Sequence, residues 1–255
     1  MSLTKQYPGK PEKVYFFGTC LIDLLYPQAG LAGMQLIRRE GVQVIFPQDQ
    51  TCCGQPAWNA GYREQAEAVV LNQIRCFPEE YPVVVPSGSC AGMLRNQYPE
   101  LFRDKPEAQQ VERFSKRIFE LTEFLVHVLK IELKDLGQPT KVALHASCSA
   151  RREMDVAGEH EALLQQLENV QLVEQVRKAE CCGFGGTFAV KHPDISAAMV
   201  ADKAQAITDT GADQLVSGDC GCLMNITGHM EHQGVGPKGQ HIASFLWERT
   251  HDPKS

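Results

Sequence analysis

The stretch VQVIFPQDQTCCG, residues 42–54, runs an apolar, β-branched segment of strand length into an adjacent cysteine pair and a glycine. The chain says nearly the same thing again in VQLVEQVRKAECCG, residues 170–183. Working outward, a single cysteine precedes each pair, Cys20 with 31 residues between and Cys148 with 32. Further cysteines follow, Cys90 after 36 residues in the first half, Cys220 after 37 and then Cys222 in the second. Each landmark returns 128 to 130 positions later, and its surroundings return with it. VYFFGTC (14–20) matches VALHASC (142–148), and PVVVPSGSCAGML (82–94) matches ADQLVSGDCGCLM (212–224). Similarity at one constant offset is an internal duplication.

Each landmark cysteine lies just beyond a strand-like run: VYFF, VQVIFP, VVVP, VALH, VQLVE and QLVSG. Between these runs lie helical patterns, LAGMQLIRRE, REQAEAVVLNQIRCF, HEALLQQLENV and DISAAMVADKAQAIT. Alternation of strand and helix is the pattern of parallel βαβ units. The expected fold class is therefore α/β, with two pseudo-symmetric Rossmann-like halves, each a parallel sheet flanked by helices. Residues 115–141 read as a helix, a turn at Gly137-Gln138-Pro139 and the entry to the second half. The halves are expected at 1–137 and 138–255. Ligands in such sheets bind beyond the carboxyl ends of the strands, where these cysteines collect.

A chain of 255 residues buries a core without disulfide staples, so its ten cysteines are not needed for stability. The net charge of -6, with both signs interspersed, offers no basic patch for nucleic acid or an anionic membrane. No apolar run reaches the roughly 18 residues of a membrane span, and MSLTKQYPGKPEK has no apolar signal core. The expected compartment is the cytoplasm, where cysteines serve as metal ligands or redox groups more often than as bridges.

Neighbouring Cα atoms lie about 3.8 Å apart, below the usual span of a disulfide, so Cys52 and Cys53 do not pair with each other without strain. As thiolates on one bend they suit adjacent metal atoms. Thiolates select zinc, copper(I) or iron–sulfur clusters, and cysteines from three strand ends can enclose one cluster. Neither half has the Cys-x-x-Cys pair usual for zinc. Gly54 and Gly183 let the backbone pass close by.

Other residues carry less. Cys76 falls on the apolar face of its helical pattern and reads as a core side chain. GFGGT after Cys182 lacks the spacing of a nucleotide-binding loop. His145, Arg151 and Arg152 flank Cys148; the histidine suits adjusting a cluster or relaying protons and the arginines attracting an anionic substrate or stabilising a reduced cluster, but the preferred reading of each is a surface or supporting side chain, and of His229, His232 and His241 a structural one. Met93, Met224 and Met230 read as packing. No Ser-His-Asp set, HExxH motif or enforced carboxylate pair supports hydrolysis.

The single cysteine, Cys-Cys-Gly and trailing cysteines resemble the CCG cysteine-rich domain, found in heterodisulfide reductases and in iron–sulfur subunits of lactate and glycolate oxidation systems. The resemblance covers nearly the whole chain, twice. It implies that Cys20, Cys52, Cys53 and Cys90 bind one [4Fe-4S] cluster and Cys148, Cys181, Cys182 and Cys222 another, with Cys220 as the alternative to Cys222; the noncubane form is one option and zinc a substitute. Met93 stands where the family's first Cys-x-x-Cys ends, and Asp219 where the second begins. The implied function is an iron–sulfur subunit of an L-lactate or related 2-hydroxy acid oxidation complex. Its implied partners are a ferredoxin-type iron–sulfur protein and a third small subunit. Disulfide cleavage at a cluster, or a zinc or thiol scaffold without redox catalysis, are the alternatives.

Overall fold

A computed structural model describes residues 6–252; the first residues of the N-terminal segment lie outside them. The first sheet is built from β1 (Lys13–Phe16), β2 (Gln43–Ile45), β3 (Val83–Val85) and β4 (Ile118–Glu120) in the order β2-β1-β3-β4. The second has β5 (Thr140–His145), β6 (Val170–Val173), β7 (Gln214–Ser217) and β8 (Lys238–His241) in the order β6-β5-β7-β8. All pairings are parallel, with Val14 opposite Val44 and Phe16 opposite Val84, and in the second sheet Val142 opposite Leu172 and Leu144 opposite Val216. The two halves thus share one architecture, an α/β fold of two similar units.

The central strands are buried on both faces, and Val83, Val84 and Val85 have no exposure. This is why they read as unbroken apolar runs rather than alternating ones. Of the four edge strands, β4 and β8 have no such signal. β4 has only three residues, and β8 reads KGQH; both are strands because a neighbouring backbone pairs with them. The segment 115–141 accordingly opens with β4, turns helical from Leu121 to Leu129, and crosses to the second half without regular structure. That crossing is anchored, with Ile131 and Leu133 buried and Arg249 paired with Asp135 at 2.8 Å.

One core joins the halves. Val14, Phe16, Leu36 and Phe124 pack in the same cluster as Val142, Leu163, Val216 and Phe245. The helix Ile242–Thr250, last in the chain, lies against Pro27–Arg39 of the first half. Among the described residues no helix is long and apolar enough to cross a membrane.

In both sheets the chain reverses its direction of growth between the two central strands, β1 and β3 or β5 and β7. Loops leaving adjacent strand ends on opposite sides of the sheet open a crevice at such a point. Cys20 and Cys90 follow β1 and β3, and Cys148 and Cys220 follow β5 and β7.

Candidate metal centre

Nine cysteines, Cys20, Cys52, Cys53, Cys90, Cys148, Cys181, Cys182, Cys220 and Cys222, line one cavity of about 460 Å³ between the halves. None is in a disulfide. Cys76 is apart from them, its sulfur 3.4 Å from the Asn72 carbonyl on its own helix, against the apolar core.

In the first half the Cys52 sulfur is 3.8 Å from that of Cys20, and Cys53 is 3.4 Å from Cys90. The thiols of Cys20 and Cys53 both donate to Cys52, which pulls Cys52 down to about 3 and pushes its two donors up. The second half repeats the pattern. Cys148 and Cys182 donate to Cys181, pulling it down to about 2 and rising themselves. Cys182 also donates to Cys222, bringing Cys222 to about 7 against its burial. Each half therefore holds a thiolate at the same place in its Cys-Cys-Gly turn, the state in which cysteine binds metal.

The glycine is needed for this turn. Gly54 has φ 86° and Gly183 φ 80°, values that side chains other than glycine's strain to adopt. The Gly183 amide donates to the Cys181 sulfur at 3.4 Å. A Cβ on Gly54 would meet the Val69 side chain at 3.2 Å, but on Gly183 it would lie 2.8 Å from the Ser196 carbonyl, which is backbone. Gly54→Ala is expected to cost about 1–2 kcal/mol and Gly183→Ala more, about 3 kcal/mol. Urea midpoints of the two variants check the order; equal losses would contradict it.

Side chains under each turn hold it from behind. Tyr98 donates to the Cys53 carbonyl at 2.9 Å, and Asn225 to that of Cys182 at 2.7 Å. Gln73 reaches Thr51 and the Cys52 carbonyl. Its counterpart Lys203, wholly buried, donates to the Arg177 carbonyl at 3.1 Å and to Gln175 at 3.2 Å.

Cys220 and Cys222 diverge. Residues two apart on a helix point to nearly opposite sides, and both lie in the helix Cys220–Gln233. Cys222 faces Cys182 and His145 of its own half. Cys220 is pushed up by burial, then by Asp219, by Cys90 of the first half and by Cys222 of its own. Its sulfur lines the cavity that the two groups share.

Asp219 is the residue that the sequence pattern underrated. It is buried, and one oxygen accepts from Ser87 Oγ at 2.7 Å and the Ser89 amide at 3.0 Å, both in the first half. Its other oxygen accepts from Ser147 Oγ in the second. The repeat offered a signal, since Asp219 stands at the place of Ser89. His241 is also structural: its Nε2 donates to the carbonyls of Pro86 and Gly218, both at 3.2 Å, while Nδ1 accepts from the Ala243 amide. Arg151 braces the carbonyls of Ala146 and Ala179, and neither it nor Arg152 lines the cavity.

His145, Cys182 and Cys222 place one nitrogen and two sulfurs within 4.8 Å of one another. The donor set as a whole fits a thiophilic metal or cluster, and it fits hard cations poorly.

The chain matches the cysteine-rich domain, CCG, over residues 14–95 and again over 142–227. It is 44% identical over 236 residues to lactate utilization protein A of Shouchella clausii, covering 91% of this chain and 98% of that one. It is 42% identical over 238 residues to the protein of the same name from Bacillus subtilis, covering 93% and 100%. A solved structure of a hypothetical protein from Helicobacter pylori shares the fold, with a TM-score of 0.65 at 11% identity; the match takes in 97% of this chain and 52% of the other.

Proposed function

The chain belongs to the CCG cysteine-rich domain family, and from that premise we propose that it is the iron–sulfur subunit of a system that oxidises L-lactate or a related 2-hydroxy acid to the 2-oxo acid. The observation that carries the cofactor is the pair of matching thiol groups, one from each half, on the wall of one cavity. The substrate rests on the relatives, which carry the name lactate utilization protein A over nearly the full length of both chains.

In this reading the halves 1–137 and 138–255 hold one site each. Cys20, Cys52, Cys53 and Cys90 serve the first, with Cys220 added across the interface where Met93 leaves a place open. Cys148, Cys181, Cys182 and Cys222 serve the second. A bound [4Fe-4S] cluster supplies one-electron oxidation and reduction. The protein's own groups prepare that binding. Cys52 and Cys181 are already thiolates, while Cys20, Cys53, Cys148 and Cys182 lose protons on ligation, so loading releases protons and weakens as pH falls. The nearly closed backs of both sites, with Cys53 and Cys182 each 2% exposed, keep water from the inner sulfurs. The chain works with partners, a ferredoxin-type iron–sulfur protein and a third small subunit, that bring the electrons from the substrate and take them onward. Its place is the cytoplasm.

Anaerobically prepared protein is expected to hold about four to eight irons with matching sulfide. Mixed with its partner subunits, it is expected to show lactate-dependent reduction by EPR. Zinc alone, or iron that lactate and the partners never reduce, refutes the reading.

A further inference from the structure

The duplication gives each residue of the second site a counterpart in the first, and two buried residues break the match. His145 stands where the first half has Phe17, and Lys203 where it has Gln73. Both differences add nitrogen chemistry or positive charge to one site only.

His145 closes β5 and is 1% exposed, and its ring nitrogens meet no oxygen or nitrogen partner among the described residues, the Cys222 thiol being the group they approach. Buried polar groups are normally satisfied, and an exception needs a reason. The groups it faces are the sulfurs of Cys182 and Cys222, within 4.8 Å. A nitrogen and two sulfurs on one tetrahedral metal lie about 3.5–3.8 Å apart, so the three donors need to close by roughly an ångström. In this reading the second site has four thiolates against five in the first, because Asp219 is held by Ser87 and Ser147 and Cys220 is assigned to the first.

We propose that His145 is a nitrogen ligand of the second site beside Cys182 and Cys222, and that this makes the second site the more oxidising of the two. A neutral imidazole in place of a thiolate removes negative charge from a site and raises its potential. The buried ammonium of Lys203, whose charge reaches Cys182, acts in the same direction, while Gln73 has no charge to offer. The ligation stands independently of the cluster reading; the difference in potential rests on it.

The test uses the full chain, freed of metal anaerobically and loaded first with cobalt(II) and then, separately, with iron and sulfide. Pulsed EPR of the cobalt protein is expected to show a directly bound nitrogen, absent from His145→Phe, which carries the residue of the first half. The affinity of that site is expected to fall about tenfold or more. His145→Cys is expected to keep the metal without the nitrogen signal, which separates ligation from misfolding. In the iron-loaded protein the higher of two midpoints is expected to drop toward the lower in His145→Cys, which puts a thiolate where the imidazole was, and by less in Lys203→Gln. Cobalt that fails to bind, or binds without nitrogen, overturns the ligation, as do spectra unchanged by His145→Phe. Nitrogen-bound cobalt in a protein that takes up no iron keeps the ligand and refutes the cluster. Equal midpoints, or a first site that is the more oxidising, overturn the ranking of the sites.

Discussion

Joint replacement of Cys181 and Cys182 by serine is expected to remove about half of the bound iron and sulfide and one of two EPR signals, leaving the other intact. Cys181 is the thiolate that accepts from both Cys148 and Cys182, and Cys182 in turn donates to Cys222. Losing both sulfurs takes the centre out of the second group and leaves Cys148 and Cys222 without a bridge. The first group, organised around Cys52, has its own turn, its own supports in Gln73 and Tyr98, and its own thiolate. Replacing Cys52 and Cys53 is expected to remove the complementary half. Cys76→Ser is the control that leaves iron unchanged, because its sulfur sits on its own helix away from the cavity. Iron content measured beside circular dichroism decides the matter. If either double replacement empties both sites while the fold persists, the halves do not bind separately. If neither lowers the iron, these cysteines are not the ligands.

Asp219→Ala is expected to lower stability by about 3 kcal/mol, which for a chain of this size is a drop of roughly 6–12 °C in melting temperature. Three donors lose their acceptor at once: Ser87 Oγ, the Ser89 amide and Ser147 Oγ. The hydroxyls can turn to other partners, Ser87 to Ser89 at 3.0 Å for example, but the Ser89 amide, half-buried at the cavity wall, cannot turn and loses its acceptor. Asp219→Asn keeps one acceptor oxygen on the first-half side and is expected to cost about 1 kcal/mol. Because Asp219 ties the two halves beside both thiol groups, the alanine variant is also expected to lose metal more readily. Thermal melts of the three proteins settle it, and an alanine variant within about 0.5 kcal/mol of the native protein would show that the carboxylate is not a tie.

What was legible in the chain was legible because it is local or repeated. The central strands β1, β3, β5 and β7 show as short apolar runs because they are covered on both faces, and the edge strands β2 and β6 show because their residues are mostly β-branched or apolar around one exposed glutamine. The helices Pro27–Arg39, Arg63–Cys76 and Pro193–Thr208 show as periodic patterns. Strands β4 and β8 did not show, because a three-residue strand and a polar edge strand owe their conformation to the neighbour they pair with. The constant offset of the cysteines told that distant residues form equivalent groups, and the order of alternating strand and helix told at which end of the sheets they lie.

The sequence by itself determined the duplication, the α/β class, the Cys-Cys-Gly bends and the set of nine cysteines, all of which depend on residue type and spacing along the chain. Only the tertiary structure decided which thiols meet. Cys220 and Cys222 are two residues apart and chemically identical, yet Cys222 joins Cys182 and His145 while Cys220 does not. Asp219 looked like a missing cysteine and is an acceptor for three donors from both halves. His145 stood out in the chain only as a neighbour of Cys148 and Lys203 not at all, and their importance comes from burial beside sulfur, which depends on how two sheets close against each other. Contacts between residues far apart in sequence are set by packing across the interface, and no spacing along the chain encodes them.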